Sequence, residues 1–276
     1  MSNQSYYHYY LQTQPGYVVA FLDILGFSSL INSNDSVAIN SSGVIYSVPP
    51  IYEYITNHYT EKNQVQSKIK FLWVSDSIFI TDKQENIAIL IQAMSEIIHY
   101  LYCTNLSIRG GIATGSLYFE KNLWGTAVVK AVSLEKDAYT PRVIMKKEDF
   151  EVISPNMNEE INFWHPDGAY YYFDYFGRFF YKEIQKPCDD LDSILSVYSR
   201  CIQENFKAAC DKSVKNKWCY LAKFLSKHIQ DNREYINSHS AYAKKRAQVF
   251  GINTANMQNT DIYLSILDDA ASYMEE

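Results

Sequence analysis

YVVAFLDILGF, residues 17–27, decides the fold. Its run Val18-Val19-Ala20-Phe21 has no polar position on either side of a two-residue period, the mark of a central strand covered on both faces. The strand ends at a carboxylate, Asp23, and Gly26 breaks it. Ser28 and Ser29 follow where a helix can begin, which leaves backbone N–H groups of the Ile24–Ser28 turn unpaired and pointing outward. Downstream, KIKFLWVSDSIFIT (68–81) reads as two β-runs meeting at Ser75-Asp76-Ser77, so Asp76 is expected at a hairpin tip on a neighbouring strand.

The rest of the chain builds around this pair. Ile51, Tyr54, Ile55 and Tyr59 recur at helical spacing within 44–63. From Glu85 to Asn105, Ile87, Leu90, Ile91, Met94, Ile97, Ile98 and Leu101 fall on one helical face, which should pack on the sheet. SIRGGIATG (107–115) is another strand, Gly125 to Ala138 a short amphipathic helix through Val128, Val132 and Leu134, and PRVIM (141–145) a further strand. GAYYYFDYFGRFFYKEIQK (168–186) reads as an aromatic hairpin turning at Phe176-Gly177. Beyond about residue 190 the pattern is only helical. The order predicts an α/β (α+β) protein: a ferredoxin-like sheet with helices on one face over 1–187, an added β-hairpin, and a helical C-terminal subdomain over 188–276.

Composition narrows the function classes. The 276 residues are 47% hydrophobic and 20% charged, enough for a core and too balanced for disorder. A net charge of −6 disfavours a bulk electrostatic grip on nucleic acid or an anionic membrane, so a polyanionic ligand needs metal ions or local donors. Five cysteines without C-x-x-C spacing indicate neither a disulfide framework nor a zinc site. With no long apolar run and no basic-then-apolar start, the expectation is a cytoplasmic protein. His165 stands apart from any acid or nucleophile in the sequence and reads as structural, and Lys244-Lys245-Arg246 as a solvated helix face. Asp23 and Asp76 at adjacent strand ends suit a divalent cation, although each also fits a plain turn position.

Taken together, FLDILGF (21–27), WVSDSIFI (73–80), IRGGIATG (108–115) and NLWGTAVVKAVSLE (122–135) resemble, in order and spacing, the catalytic core of the class III nucleotide cyclases, over roughly residues 17–145. The form of the first motif and the shortened PRVIM ending look most like the pyrimidine cyclases of the Pycsar anti-phage systems, which make cyclic CMP or cyclic UMP. The resemblance implies that Asp23, Asp76 and the carbonyl of Ile24 hold two Mg²⁺ or Mn²⁺ ions. It implies that Gly26, Phe27 and Ser28 cradle the β- and γ-phosphates, as unpaired amides at a helix start do. It also implies a homodimer with shared sites, a nucleoside triphosphate substrate and a separate effector gated by the cyclic product.

The chain departs from the family in its second half-site. Val129 and Ser133 stand where many purine cyclases carry a ribose-orienting Asn and a transition-state Arg, and neither can donate as those residues do. Arg109, Arg142 and Lys130 are the candidate substitutes, because each offers phosphate a positive charge. Asn122 and Leu72 replace the acid and lysine that read adenine, and an amide at 122 suits the edge of uracil or cytosine. Trp73 either narrows the base pocket or packs the strand. The rival to a working cyclase is a degenerate one that binds nucleotide as a sensor; a diguanylate-type enzyme is disfavoured by the lack of a G-G-[DE]-E-F signature.

Overall fold

The computed structural model describes residues 14–25, 27, 69–119, 122–185, 191–239 and 259–273. The helix expected over 44–63, the positions Gly26, Ser28 and Cys188, and the run Lys244, Lys245 and Arg246 lie outside the described residues. In chain order the elements are β1 (Gln14–Leu25), β2 (Lys70–Val74), β3 (Ser77–Lys83), α1 (Ile87–Cys103), β4 (Ser107–Phe119), β5 (Leu123–Trp124) and α2 (Thr126–Asp137). They continue through β6 (Val143–Lys146), α3 (Lys147–Ile153), β7 (Trp164–Asp167), β8 (Tyr170–Phe173), α4 (Tyr175–Gln185), α5 (Leu191–Ala208), α6 (Lys212–Asp231), α7 (Arg233–His239) and α8 (Asn259–Ala271).

One mixed sheet runs in the order β2-β3-β1-β4-β6-β8-β7, with β5 pairing β4 off this path. Its first four strands form the antiparallel ferredoxin-like order 4-1-3-2, and β6 then joins β4 in parallel. Because successive side chains of a strand point to opposite faces, β1 feeds two cores. Val18, Ala20, Leu22 and Ile24 meet Ile78, Ile80, Ile108 and the apolar face of α1. Val19 and Phe21 meet Ala127, Ala131 and Leu134 of α2. Helices therefore lie on both faces, where the sequence pattern predicts one. The second face is covered by α2 over β1 and β4.

The IRGGIATG motif explains how α2 comes so close. A Cβ on Gly111 would stand 2.3 Å from Leu134 Cβ and 2.7 Å from the Ala131 carbonyl oxygen, so only glycine lets the helix lie on the strand. Gly111→Ala is expected to cost about 1–3 kcal/mol, the scale of overpacking a filled core. Urea denaturation measures it, and an unchanged midpoint would show that α2 is not seated as described.

The aromatic hairpin is displaced from its expected place. β7 and β8 pair around Gly168 (φ 59°), whereas Phe176 and Gly177 lie within α4. Asp174 makes the difference, since its Oδ1 accepts from the Gly177 N–H at 2.8 Å and caps the helix. Tyr170 to Phe173 then follow the strand, and Tyr175, Phe176, Phe179 and Phe180 bury one helical face. A stretch this dense in aromatics carries no clear period to announce that switch.

The C-terminal helices add no separate core among the described residues. Leu195, Tyr198, Ile202, Trp218, Leu221, Leu225, Ile262 and Tyr263 belong to the same buried cluster as Ile97, Ile98 and Leu101 of α1. Their amphipathic faces cover the α1 side of the sheet, which is why that cluster runs from β1 to α8. No described helix is long and apolar enough to cross a membrane.

Candidate active site

Sheet register brings the first residues of the site together. Asp23 near the end of β1 stands opposite Ser77 of β3 on one side and Arg109 of β4 on the other. Directly opposed residues of antiparallel strands share a face, so all three point to the α2 side with Val19 and Phe21. The β2–β3 turn holds Ser75 at φ 57°, in the left-handed region that a two-residue hairpin turn uses. That turn seats Asp76 beside β1, where its carbonyl accepts the Ile24 N–H at 2.8 Å.

Arg109 bridges the strand to the helix. Its Nε donates to Asp23 Oδ2 at 3.3 Å, and its Nη2 contacts Glu135 Oε1 on α2. Glu135 is 7% exposed and, apart from Arg109, its Oε1 has no polar partner among the described residues. Burial pushes the Asp23 carboxyl above its ordinary value; Glu135 and Asp76 push the same way, and Arg109 opposes them. Lys217, from α6 of the C-terminal region, enters the same field. Burial lowers its ammonium, Arg109 lowers it further, and Asp23 and Glu135 act against both. Asp23 and Glu135 thus share one paired cation, Arg109, with Asp76 adding to the negative field of a partly desolvated place.

That surplus is what a divalent cation relieves. No group of three or more His, Cys, Asp or Glu is gathered in metal-holding geometry among the described residues. Two carboxylates at adjacent strand ends are nonetheless the donor set of Mg²⁺, which takes one or two carboxylates and completes its shell with water and substrate phosphate. Asp23, Asp76 and the Ile24 carbonyl would hold the ions, whose bound chemistry is to polarise a phosphoryl oxygen and acidify a hydroxyl.

The other predicted residues are placed elsewhere. Arg142 Nη1 pairs with Asp167 Oδ2 of β7 at 2.7 Å, and its guanidinium lies over the Tyr172 ring. Lys130 Nζ donates to the Thr114 carbonyl at 3.3 Å and lies 3.7 Å from buried Asp149. Asn122 is exposed beyond the far end of β4, ten residues from Arg109 to Phe119 at about 3.3 Å each. Within one chain, then, Asp23, Ile24, Asp76 and Arg109 are gathered, and Lys130 and Asn122 stand apart from them. Phe27 is half-buried against the α1-side core. Trp73 packs on that same core, which is the strand-filling role, while Leu72 pairs with Phe79 on the Asp23 face. His165 meets Asp174 at 3.3 Å, a structural contact shared by His228 at 3.0 Å, the latter off hydrogen-bond alignment.

Sequence reasoning missed Glu135 and Lys217 as site residues. Glu135 was findable, because an acid on the buried stripe Ala127, Ala131, Leu134 of an amphipathic helix needs a buried partner. Lys217 had no such signal.

No protein-family model matches this sequence, and no curated protein matches it. Solved structures do overlap it. The adenylyl cyclase CyaB from P. aeruginosa matches at 18% identity and TM-score 0.40, over 52% of this chain and 84% of that one. Two structures of a bacterial light-regulated adenylyl cyclase match at 17% and 15% identity with TM-scores of 0.33 and 0.34. They cover 51% and 56% of this chain, and 46% and 88% of theirs. At these values the likeness carries no functional weight, and the chemistry of the site is read from the chain's own residues.

Proposed function

We propose that this chain is a nucleotide cyclase of the class III type, forming a 3′,5′-cyclic monophosphate and pyrophosphate from a pyrimidine nucleoside triphosphate. The observation that carries the reading is the surplus carboxylate charge of Asp23, Asp76 and Glu135 around Arg109 at the end of the central strand. In this reading the substrate 3′-oxygen attacks the α-phosphorus, the bond to the β-phosphate's bridging oxygen breaks, and the 3′ proton passes to solvent. Asp23 and Asp76 hold the metal ions, which neutralise phosphate charge, and Arg109, paired with Asp23 and Glu135, fixes the placement of those carboxylates. As the resemblance implies, Gly26, Phe27 and Ser28 would meet the terminal phosphates. Leu72 in place of a base-reading lysine, and an exposed Asn122, favour UTP or CTP over ATP.

Asn122 and the outer face of α2 are separated from Asp23 within one chain, so the reading requires a second copy. Val129 is 71% exposed on that outer face, and Trp124 of β5 is 45% exposed, apolar area that suits a homodimer. Val129→Glu is expected to shift the protein from dimer to monomer in size-exclusion chromatography with light scattering, and to remove activity with it. The product would serve a separate effector in phage defence, as the resemblance to Pycsar cyclases implies. Incubation with each of the four triphosphates and Mn²⁺, followed by mass spectrometry, tests the whole reading. Cyclic UMP or cyclic CMP supports it, a cyclic purine product corrects the base, and no cyclic product at all leaves the nucleotide-binding sensor as the better account.

A further inference from the structure

Arg109 is held differently from Arg178. Arg178 turns the Nε and Nη2 edge of its guanidinium on a single carboxylate, making both hydrogen bonds to Glu160, at 2.6 and 2.8 Å. Arg109 divides the same edge between two partners. Its Nε donates to Asp23 Oδ2 at 3.3 Å, whereas its Nη2 contacts Glu135 Oε1 on α2. Asp23 therefore receives one long hydrogen bond where the undivided edge would make two, and no hydrogen bond reaches its Oδ1 among the described residues.

The seating of α2 explains the division. Ala131 and Leu134 press on Gly111, two residues along β4 from Arg109 and on the same face of the sheet. Glu135, the next residue of the helix, is thereby brought within reach of the guanidinium. Its side chain is buried, and Arg109 is the polar partner its Oε1 has among the described residues. A carboxylate shut away from water depends on such a partner more than Asp23 does, whose side chain keeps part of its hydration.

We infer that Glu135 is a positioning residue that keeps Arg109 from closing on Asp23, leaving the Asp23 carboxylate open to a divalent cation. This rests on the metal-holding part of the cyclase reading and extends it to a helix that supplies no ligand of its own. A bidentate arginine–carboxylate pair is the strong form of the contact, and an ion entering there would have to break two hydrogen bonds instead of one. Glu135 also retains the guanidinium once an ion takes Asp23, so no buried charge is left without a partner.

The test uses the full chain with Mn²⁺ alone, the free ion being counted by electron paramagnetic resonance. Glu135→Gln keeps the shape and removes the charge, which releases Nη2 to join Nε on Asp23. Affinity for Mn²⁺ is expected to fall about tenfold, the scale of one added charged hydrogen bond that the ion must break. Glu135→Met, of similar volume and without an acceptor, is the second variant and should lose at least as much. Loss of a nearby negative charge weakens Mn²⁺ by itself, so Glu135→Gln is also made together with Arg109→Lys. The lysine keeps a cation beside Glu135 but has no fork to close on Asp23, and there the loss should stay within about threefold. Equal losses in the two backgrounds would reduce Glu135 to its bare charge and overturn the assignment. Unchanged binding after Glu135→Gln, in a natural chain that binds Mn²⁺, would overturn it too and leave the metal reading standing. If neither Glu135 variant folds by circular dichroism, the residue serves the core and the assignment falls. If the natural chain itself holds no Mn²⁺, the metal reading fails and the assignment with it.

Discussion

Asp23→Asn is expected to abolish cyclic nucleotide formation while making the metal-free protein more stable. On the proposed reading, losing a carboxylate that would hold metal removes several kcal/mol of charge stabilisation, so the rate should fall by at least about a thousandfold. The gain in stability follows from the sign of the Asp23 shift. A carboxyl held above its unfolded value costs the fold free energy when ionised; the cost is absent at low pH and grows as pH rises through the raised value. An uncharged amide of the same shape removes that cost at neutral pH. It leaves Arg109 its Glu135 partner. A stabilisation on the order of 1 kcal/mol, or a few degrees in midpoint, is the expected scale.

Two further readouts separate this from a general effect. Mn²⁺ should raise the thermal midpoint of the natural chain, because a ligand that binds only the folded state stabilises it, and should do so far less after Asp23→Asn. The benefit of the substitution should also shrink as pH is lowered toward the ordinary carboxylate range. A variant that stays active, or one that is destabilised and still gains stability from Mn²⁺, would remove Asp23 from the metal site. Asp76→Asn should lose activity as well but gain less stability.

Arg178→Ala should produce the largest loss of stability in the molecule. Glu160 is fully buried, and Arg178 holds it through two parallel hydrogen bonds, Nε to Oε2 at 2.6 Å and Nη2 to Oε1 at 2.8 Å. Removing the guanidinium leaves a carboxylate in the core with neither water nor partner. Breaking such a pair from one side costs about 3–5 kcal/mol, a large part of the 5–15 kcal/mol that holds a typical domain together. The pair ties α4 to the turn before β7, so the loss falls on the aromatic half of the molecule. Removing both charges, as Arg178→Met with Glu160→Met, should recover most of the loss, because desolvation and attraction nearly cancel in a buried pair. Urea denaturation of the single and double variants checks both statements; a single variant within about 1 kcal/mol of the natural chain would contradict them.

Much of the fold is legible in the sequence alone. The β1 run, the β2–β3 hairpin with Asp76 at its tip, the α1 stripe and the glycine-bearing β4 all follow from period-two and period-3.6 patterns. The positions of the two aspartates, at the end of β1 and in the β2–β3 turn beside it, are legible for the same reason. The hairpin around Gly168 is not, because aromatic residues are at home in strand and helix alike, and Asp174 decides between them through a single cap.

The amino-acid order by itself determined which local elements form and which side chains end them, since hydrophobic period and turn chemistry act over a few residues. What only the tertiary structure decided is which charges meet. Arg109 looked free to serve as a transition-state cation, and packing of α2 across Gly111 joined it to Glu135 and Asp23 instead. Arg142 and Lys130 acquired partners from β7 and α3 in the same way. Lys217, from the far C-terminal region, feels the charges of Arg109, Asp23 and Glu135 because α6 runs by the starts of β4 and β6. Electrostatic pairing depends on distances through space and on how much water remains between the groups, and neither quantity is written in the spacing of residues along a chain.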